Sequence, residues 1–167
     1  MKKVLFLLVA LMLMLTAGAQ AVTLELAYEG VIFTLPEDFV STFQEDGDTV
    51  SIHMYTSEGL NNALFIIGVS ALDTHPAANV EEDLMAIYEE IAGDLYEAAY
   101  EIRVIGDFTF LVITEGTAAE IIYLTQAYGN LIQITCIASG EAGLTEAQAE
   151  AALAIVTVMQ VAPAPAE

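Results

Sequence analysis

The sequence predicts an α+β fold, a mostly antiparallel β-sheet of about six to seven strands flanked by two main helices in an α/β/α sandwich. Three observations carry that expectation. Short alternating or continuous apolar segments recur along the chain, bounded by Gly, Pro, Asn and Asp. Two stretches, opening near Asn79 and Thr145, instead repeat apolar residues at helical spacing behind an N-cap signature. Several of the strand candidates are separated by only two or so turn residues, as hairpins are.

Taken in order, Thr23 to Tyr28 and Val31 to Leu35 alternate around Gly30, with Val31, Phe33 and Leu35 on one face, as a half-buried strand pair that Pro36 ends. Thr49 to Thr56 alternates again, which places Val50, Ile52 and Met54 inward and Ser51, His53 and Tyr55 outward. The preceding Glu45-Asp46-Gly47-Asp48 reads as a turn, because Asp-Gly readily supplies positive φ. Ala63 to Leu72 is more continuously apolar, which predicts a central strand covered on both faces. The first helix follows: Asn79 caps its free N–H groups, Glu82 reaches back, and Glu81, Glu82 and Asp83 sit at the positive end of the dipole. Val80, Leu84, Ile87, Tyr88, Ile91 and Leu95 form its buried stripe, and Gly93 weakens it late by about 1 kcal/mol relative to Ala.

Strands are then expected over Glu101 to Ile105, Phe108 to Thr114, Glu120 to Tyr128 and Leu131 to Ala138, with Gly106-Asp107 as a tight hairpin. Thr145-Glu146-Ala147-Gln148 is a Thr-x-x-Gln capping box that opens a second helix, running to about Met159 with Ala151, Ile155, Val158 and Met159 toward the sheet. One helix is expected on each face.

The N-terminus reads as a secretory signal peptide over residues 1–21: Met1-Lys2-Lys3, an apolar run from Val4 to Leu15, then small residues. Ala17-Gly18-Ala19 and Ala19-Gln20-Ala21 both fit the cleavage pattern, and the preferred mature start is Val22. The apolar run is shorter than the roughly 20 residues that span a bilayer, so no stable membrane insertion is expected after cleavage. No cysteine stands near the cleavage site, so a lipoprotein is not expected. One domain is expected over 22–161, followed by an extended Ala/Pro tail over 162–167.

Charge sets the partner classes. The chain has 24 Asp and Glu against three Lys and Arg, and 56% apolar residues, enough for a core. Losing Lys2 and Lys3 with the leader leaves Arg103 as the only Lys or Arg, a net charge of −23. Nucleic acid is excluded as a partner class, because its binding needs cations against phosphate. An acidic surface of this kind keeps an exported domain soluble and attracts basic partners.

Common catalytic signatures are missing: there is no Gly-x-Ser-x-Gly, Walker loop, His-Glu-x-x-His or Cys-x-x-Cys. His53 reads as a solvated strand residue, His75 before Pro76 as a turn residue, and Cys136 as a small buried hydrophobe alternating with Ile132, Ile134 and Ala138. Arg103 is expected to pair with Glu101 on the same strand face. A hydrolase would need a cleft bringing His53 or His75 beside an acid and a hydroxyl. The alternative to a binding domain is an extracytoplasmic divalent-cation protein, with calcium held by Glu45, Asp46 and Asp48. Those acids do not complete an EF-hand, since later loop positions lack acids and Glu58 falls one place late.

The segment Tyr28-Glu29-Gly30-Val31-Ile32-Phe33-Thr34-Leu35-Pro36-Glu37-Asp38-Phe39 resembles the opening strand of the PsbP/DcrB-like superfamily, the Mog/PsbP type of α/β/α sandwich. A Gly-aliphatic-Phe strand there runs into Pro and a turn aromatic. Phe39 departs from the pattern, since relatives often carry Trp at that place. The order of hairpin, mid-chain helix, Gly106-Asp107 hairpin, paired strands and terminal helix with Ile155-Val156-Thr157-Val158-Met159 extends the resemblance over nearly the whole mature chain. It implies a non-enzymatic accessory or protein-binding module, often exported in bacteria, with no shared cofactor or catalytic set.

Overall fold

The computed structural model describes residues 22–25, 31–36, 38–71, 80–92, 99–114, 119–127, 130–140, 142–157 and 159–161. Its strands are β1 (Val22–Glu25), β2 (Val31–Leu35), β3 (Phe39–Asp46), β4 (Val50–Ser57), β5 (Ala63–Ala71), β6 (Ala99–Ile105), β7 (Phe108–Thr114), β8 (Glu120–Ala127), β9 (Asn130–Ile137) and β10 (Gln160–Val161). Two helices accompany them, α1 (Val80–Ala92) and α2 (Glu146–Thr157). The expected leader, the 162–167 tail, Asp73, His75, Asn79, Gly93 and Leu95 lie outside the described residues.

The main sheet is antiparallel with the order β3-β4-β5-β9-β8-β7-β6. Its first half is a meander from β3 to β5. The chain then starts again at the far edge with β6 and returns strand by strand, so β9 closes the sheet against β5. Gly106 makes the β6–β7 turn at φ 61°, a conformation that favours glycine. A small second sheet, β1-β2-β10, is also antiparallel.

Strand alternation divides the apolar side chains between two faces. On one face, Phe65, Ile67, Ile132, Ile134, Phe110 and Val112 join Phe33 and Leu35 of β2 and Ala152, Ile155 and Val156 of α2 in the larger core. Phe39 and Phe65 meet there at a tilt with ring centroids 4.7 Å apart, and Phe110 meets Tyr123 edge-on at 6.3 Å. On the other face, Leu84 of α1 packs with Leu111, Ile113, Ile122 and Leu124 in a smaller core. One helix thus lies on each face, and the expected α+β sandwich is the fold.

The capping box forms as its spacing requires. The Thr145 N–H donates to Gln148 Oε1 at 2.8 Å, and the Gln148 N–H donates to Thr145 Oγ1 at 3.3 Å. Gln148 is buried, and its Nε2 donates to the Leu60 carbonyl at 2.8 Å, tying the start of α2 to the turn after β4. The buried positions of α2 are Gln148, Ala152, Ile155 and Val156, with Met159 beyond its end. Ala151, expected in the stripe, is half-buried, because the buried polar anchor at Gln148 turns the helix toward its i+4 and i+7 positions.

Four local expectations are corrected. Glu45 and Asp46, expected in a turn, close a strand over Phe39–Asp46; only Phe39 in it is buried, and a bulge between Ser41 and Phe43 breaks the alternation that would reveal it. Gly47 lacks the positive φ expected of it. Instead its N–H donates to the Val50 carbonyl at 2.9 Å, where an added Cβ would stand 3.1 Å from that oxygen. β4 is reversed: Ser51, His53 and Tyr55 are buried, while Ile52 and Met54 are half-buried and Val50 is exposed. β5 is interior to the sheet but covered fully on one face only, with Leu64 and Ile66 half-buried. The strand β10, which extends the small sheet, has no counterpart in the sequence reading.

Because Gln148 completes the cap and satisfies a distant carbonyl, Gln148→Ala is expected to destabilise the fold by about 1–3 kcal/mol, more than the roughly 1 kcal/mol of Thr145→Ala. Urea denaturation of the two variants checks the order.

Candidate functional site

The face that carries α1 is covered unevenly. α1 packs over β7 and β8, at one end of the sheet. At the other end, the register sets Val40 beside Thr56 and Leu64, Phe43 beside Met54 and Ile66, and Glu45 beside Ile52. Residues directly opposite in adjacent strands share a face, so these side chains form one surface. Val40 is 63% exposed and Phe43 43%, with Val50 also exposed and Ile52, Met54, Leu64 and Ile66 half-buried. This contiguous apolar half-face is rimmed by acids: Glu45 lies on it, and Asp48 and Glu58 are exposed at the β3–β4 turn and beyond β4. Val40 and Phe43 do not stand out as site residues in the sequence, because the bulge hides β3 as a strand. The available signal was two apolar residues in an otherwise polar, uncapped run.

The three carboxylates considered for calcium do not converge. Glu45 and Asp46 are successive residues of β3, which sends their side chains to opposite faces, and Asp48 follows in the turn. Asp46 instead accepts from His53 Nε2 at 2.8 Å. Among the described residues no group of three or more His, Cys, Asp or Glu is placed to hold a metal.

His53, expected on the solvated face, is 4% exposed. On the other side of the ring, the Tyr55 hydroxyl stands 3.5 Å from Nδ1. His53 therefore does meet an acid and a hydroxyl, the combination a hydrolase would need. His53 and Tyr55 are buried, while the Asp46 carboxylate at the end of the group is about half exposed. The contacts tie β4 to β3: His53 donates to Asp46 of β3, and Ser57 Oγ donates to Asp38 just before it. Ser51 Oγ lies near the Asp46 carboxylate and helps keep it charged, although it falls short of hydrogen-bond geometry. The His53 hydrogen bond is the larger cause, and together they hold Asp46 below its ordinary value of 3.8. Burial pushes the Tyr55 phenol up.

Cys136 is fully buried, its Sγ–H pointing to the Gln148 carbonyl at 3.9 Å, and burial pushes its thiol up to about 12. It is the small buried hydrophobe expected rather than a nucleophile. Arg103 bonds Glu101, also as expected. The two line a shallow groove of about 350 Å³ on β6 and β7 together with Tyr100, Val112 and Ile121. No helix among the described residues is long and apolar enough to cross a membrane.

A carboxylate held below 3.8 in the fold adds stability that is present above that pH and is lost as pH falls through its lower native value. Melting temperatures of the native chain and Asp46→Asn are therefore expected to differ fully above about pH 5 and to converge in acid. Cys136 is expected to resist iodoacetamide at pH 8 in the folded protein and to react completely in denaturant, as intact-mass measurement reads directly.

Among solved structures, the crystal structure of the Saccharomyces cerevisiae Ran-binding protein Mog1p is similar to this chain, with a TM-score of 0.57 at 13% identity over 86% of this chain and 96% of that one. No protein-family model matches the chain, and no curated protein matches it. The likeness is one of fold: this chain has the α+β sandwich architecture of Mog1p.

Proposed function

We propose that this protein is an exported, acidic, non-enzymatic accessory domain that binds a protein partner through the β3–β5 half-face. The carrying observation is the apolar surface of Val40, Phe43, Ile52, Met54, Leu64 and Ile66, left open beyond the reach of α1 and ringed by Glu45, Asp48 and Glu58. Burial of such a centre supplies affinity, and the acidic rim selects the partner. The partner is a protein with an apolar knob set in a basic surface. Export is supported by the leader-like residues 1–21. A protein-binding role is supported by fold analogy to Mog1p, described as Ran-binding.

Burying a Phe side chain contributes about 1.5–3 kcal/mol, so losing Phe43 from an interface costs roughly tenfold or more in affinity. Affinity capture from the surface and secreted fractions of the producing cell is expected to retain a basic protein on the native chain. Val40→Ser/Phe43→Ser is expected to lose it, and raised salt to weaken it. Capture unchanged by the double substitution would reject this face as the binding surface.

A further inference from the structure

We propose that the β6 edge is a self-complementary interface, on which a second copy of this chain pairs antiparallel, β6 to β6, about Ile102. Among the described residues β6 ends the main sheet, with β7 on one side of it. Edge strands of monomeric proteins are guarded by bulges, Pro or awkwardly placed charge. The opposite edge has such guards: β3 is bulged between Ser41 and Phe43 and ends in Gln44, Glu45 and Asp46. β6 has neither bulge nor Pro, its seven residues run in unbroken register with β7, and its two charges, Glu101 and Arg103, are of opposite sign.

The residues of β6 also match their own reversed order. A twofold axis midway between the two copies' Ile102 residues, normal to the sheet, sets Tyr100 opposite Val104 and Glu101 opposite Arg103, each pair occurring twice. Tyr100 and Val104 share the α1 face, through their register with Ile113 and Thr109, and are 49% and 72% exposed. Pairing joins these apolar side chains across the seam. Glu101 and Arg103 lie on the other face, where Arg103 would meet Glu101 of the second copy. No Lys or Arg other than Arg103 follows Lys3 in the sequence, and in this arrangement it faces an acid across the axis. The helices do not obstruct it. With strands about 4.8 Å apart, α1 over β7 and β8 would stand roughly 19 Å from its symmetry mate, against the 8–10 Å of packed helices.

The large negative charge of each copy opposes association at long range, and salt screens that repulsion over about 8 Å at physiological strength. The dimer should therefore strengthen as salt rises from low to physiological levels. Sedimentation velocity on protein expressed from the full 167-residue sequence, over a concentration series at two salt levels, is expected to show a reversible monomer–dimer equilibrium. Glu101→Arg and Arg103→Glu each place like charges opposite one another twice, and each is expected to weaken the dimer at least tenfold. The double reversal Glu101→Arg/Arg103→Glu restores opposite charges and is expected to recover affinity to within about threefold of the native chain. Val104→Asp, on the apolar face, is expected to weaken it independently. A chain that stays monomeric at every concentration, single reversals that dimerise like the native chain, or a double reversal that fails to recover would each overturn the proposal. Because the β3–β5 half-face is at the other edge, partner capture by that face is read separately and does not depend on the outcome.

Discussion

A β-strand sends successive side chains to opposite faces, and among the described residues two helices and one small sheet cover the two faces of this seven-stranded sheet. On the face of α2, β2 and α2 together bury Phe33, Leu35, Ala152, Ile155 and Val156 against Phe65, Ile67, Ile132 and Ile134. On the other face α1 extends over β7 and β8, and the surface of β3 to β5 retains exposed Val40 and Phe43. The uneven cover follows from topology: the chain leaves β5 at the middle of the sheet, passes through α1, and enters β6 at the far edge. The open apolar surface is a consequence of where that connection seats its helix.

The same constraint explains why polar residues of β4 point inward. With β3 at the edge, Asp46 and Asp38 bring carboxylates to His53 and Ser57, so two side chains that would be costly to bury bare are hydrogen-bonded. This arrangement fixes β3 against β4 despite the exposure of most of its length. It also withdraws Asp46 from any role as a free surface acid. The two edges of the sheet consequently differ in character: β3 is bulged and held by polar contacts, whereas β6 is regular and carries exposed Tyr100 and Val104.

The fold class, the two helices and eight strands were legible from period and turn chemistry, because Pro36, Gly106-Asp107 and the Thr145–Gln148 box mark boundaries by mechanism. β3 was not legible, since its bulge shifts the pattern and solvent covers most of its residues. The orientation of β4 failed for a different reason. Apolar residues occupy one side and hydrogen-bonded polar residues the other, and only the pairing with β3 decides which side lies deeper. The buried Cys136 and the Glu101–Arg103 pair were readable from local spacing, whereas the calcium triad rested on proximity in sequence that strand alternation undoes.

The two faces of the main sheet are unequally covered in the free protein. Hydroxyl-radical footprinting read by mass spectrometry tests it at single residues. Phe43 and Met54, on the open half-face, are expected to be oxidised readily, while Phe65 and Tyr123 on the α2 face stay protected until the protein is unfolded. Equal protection of Phe43 and Phe65 in the native protein would contradict it.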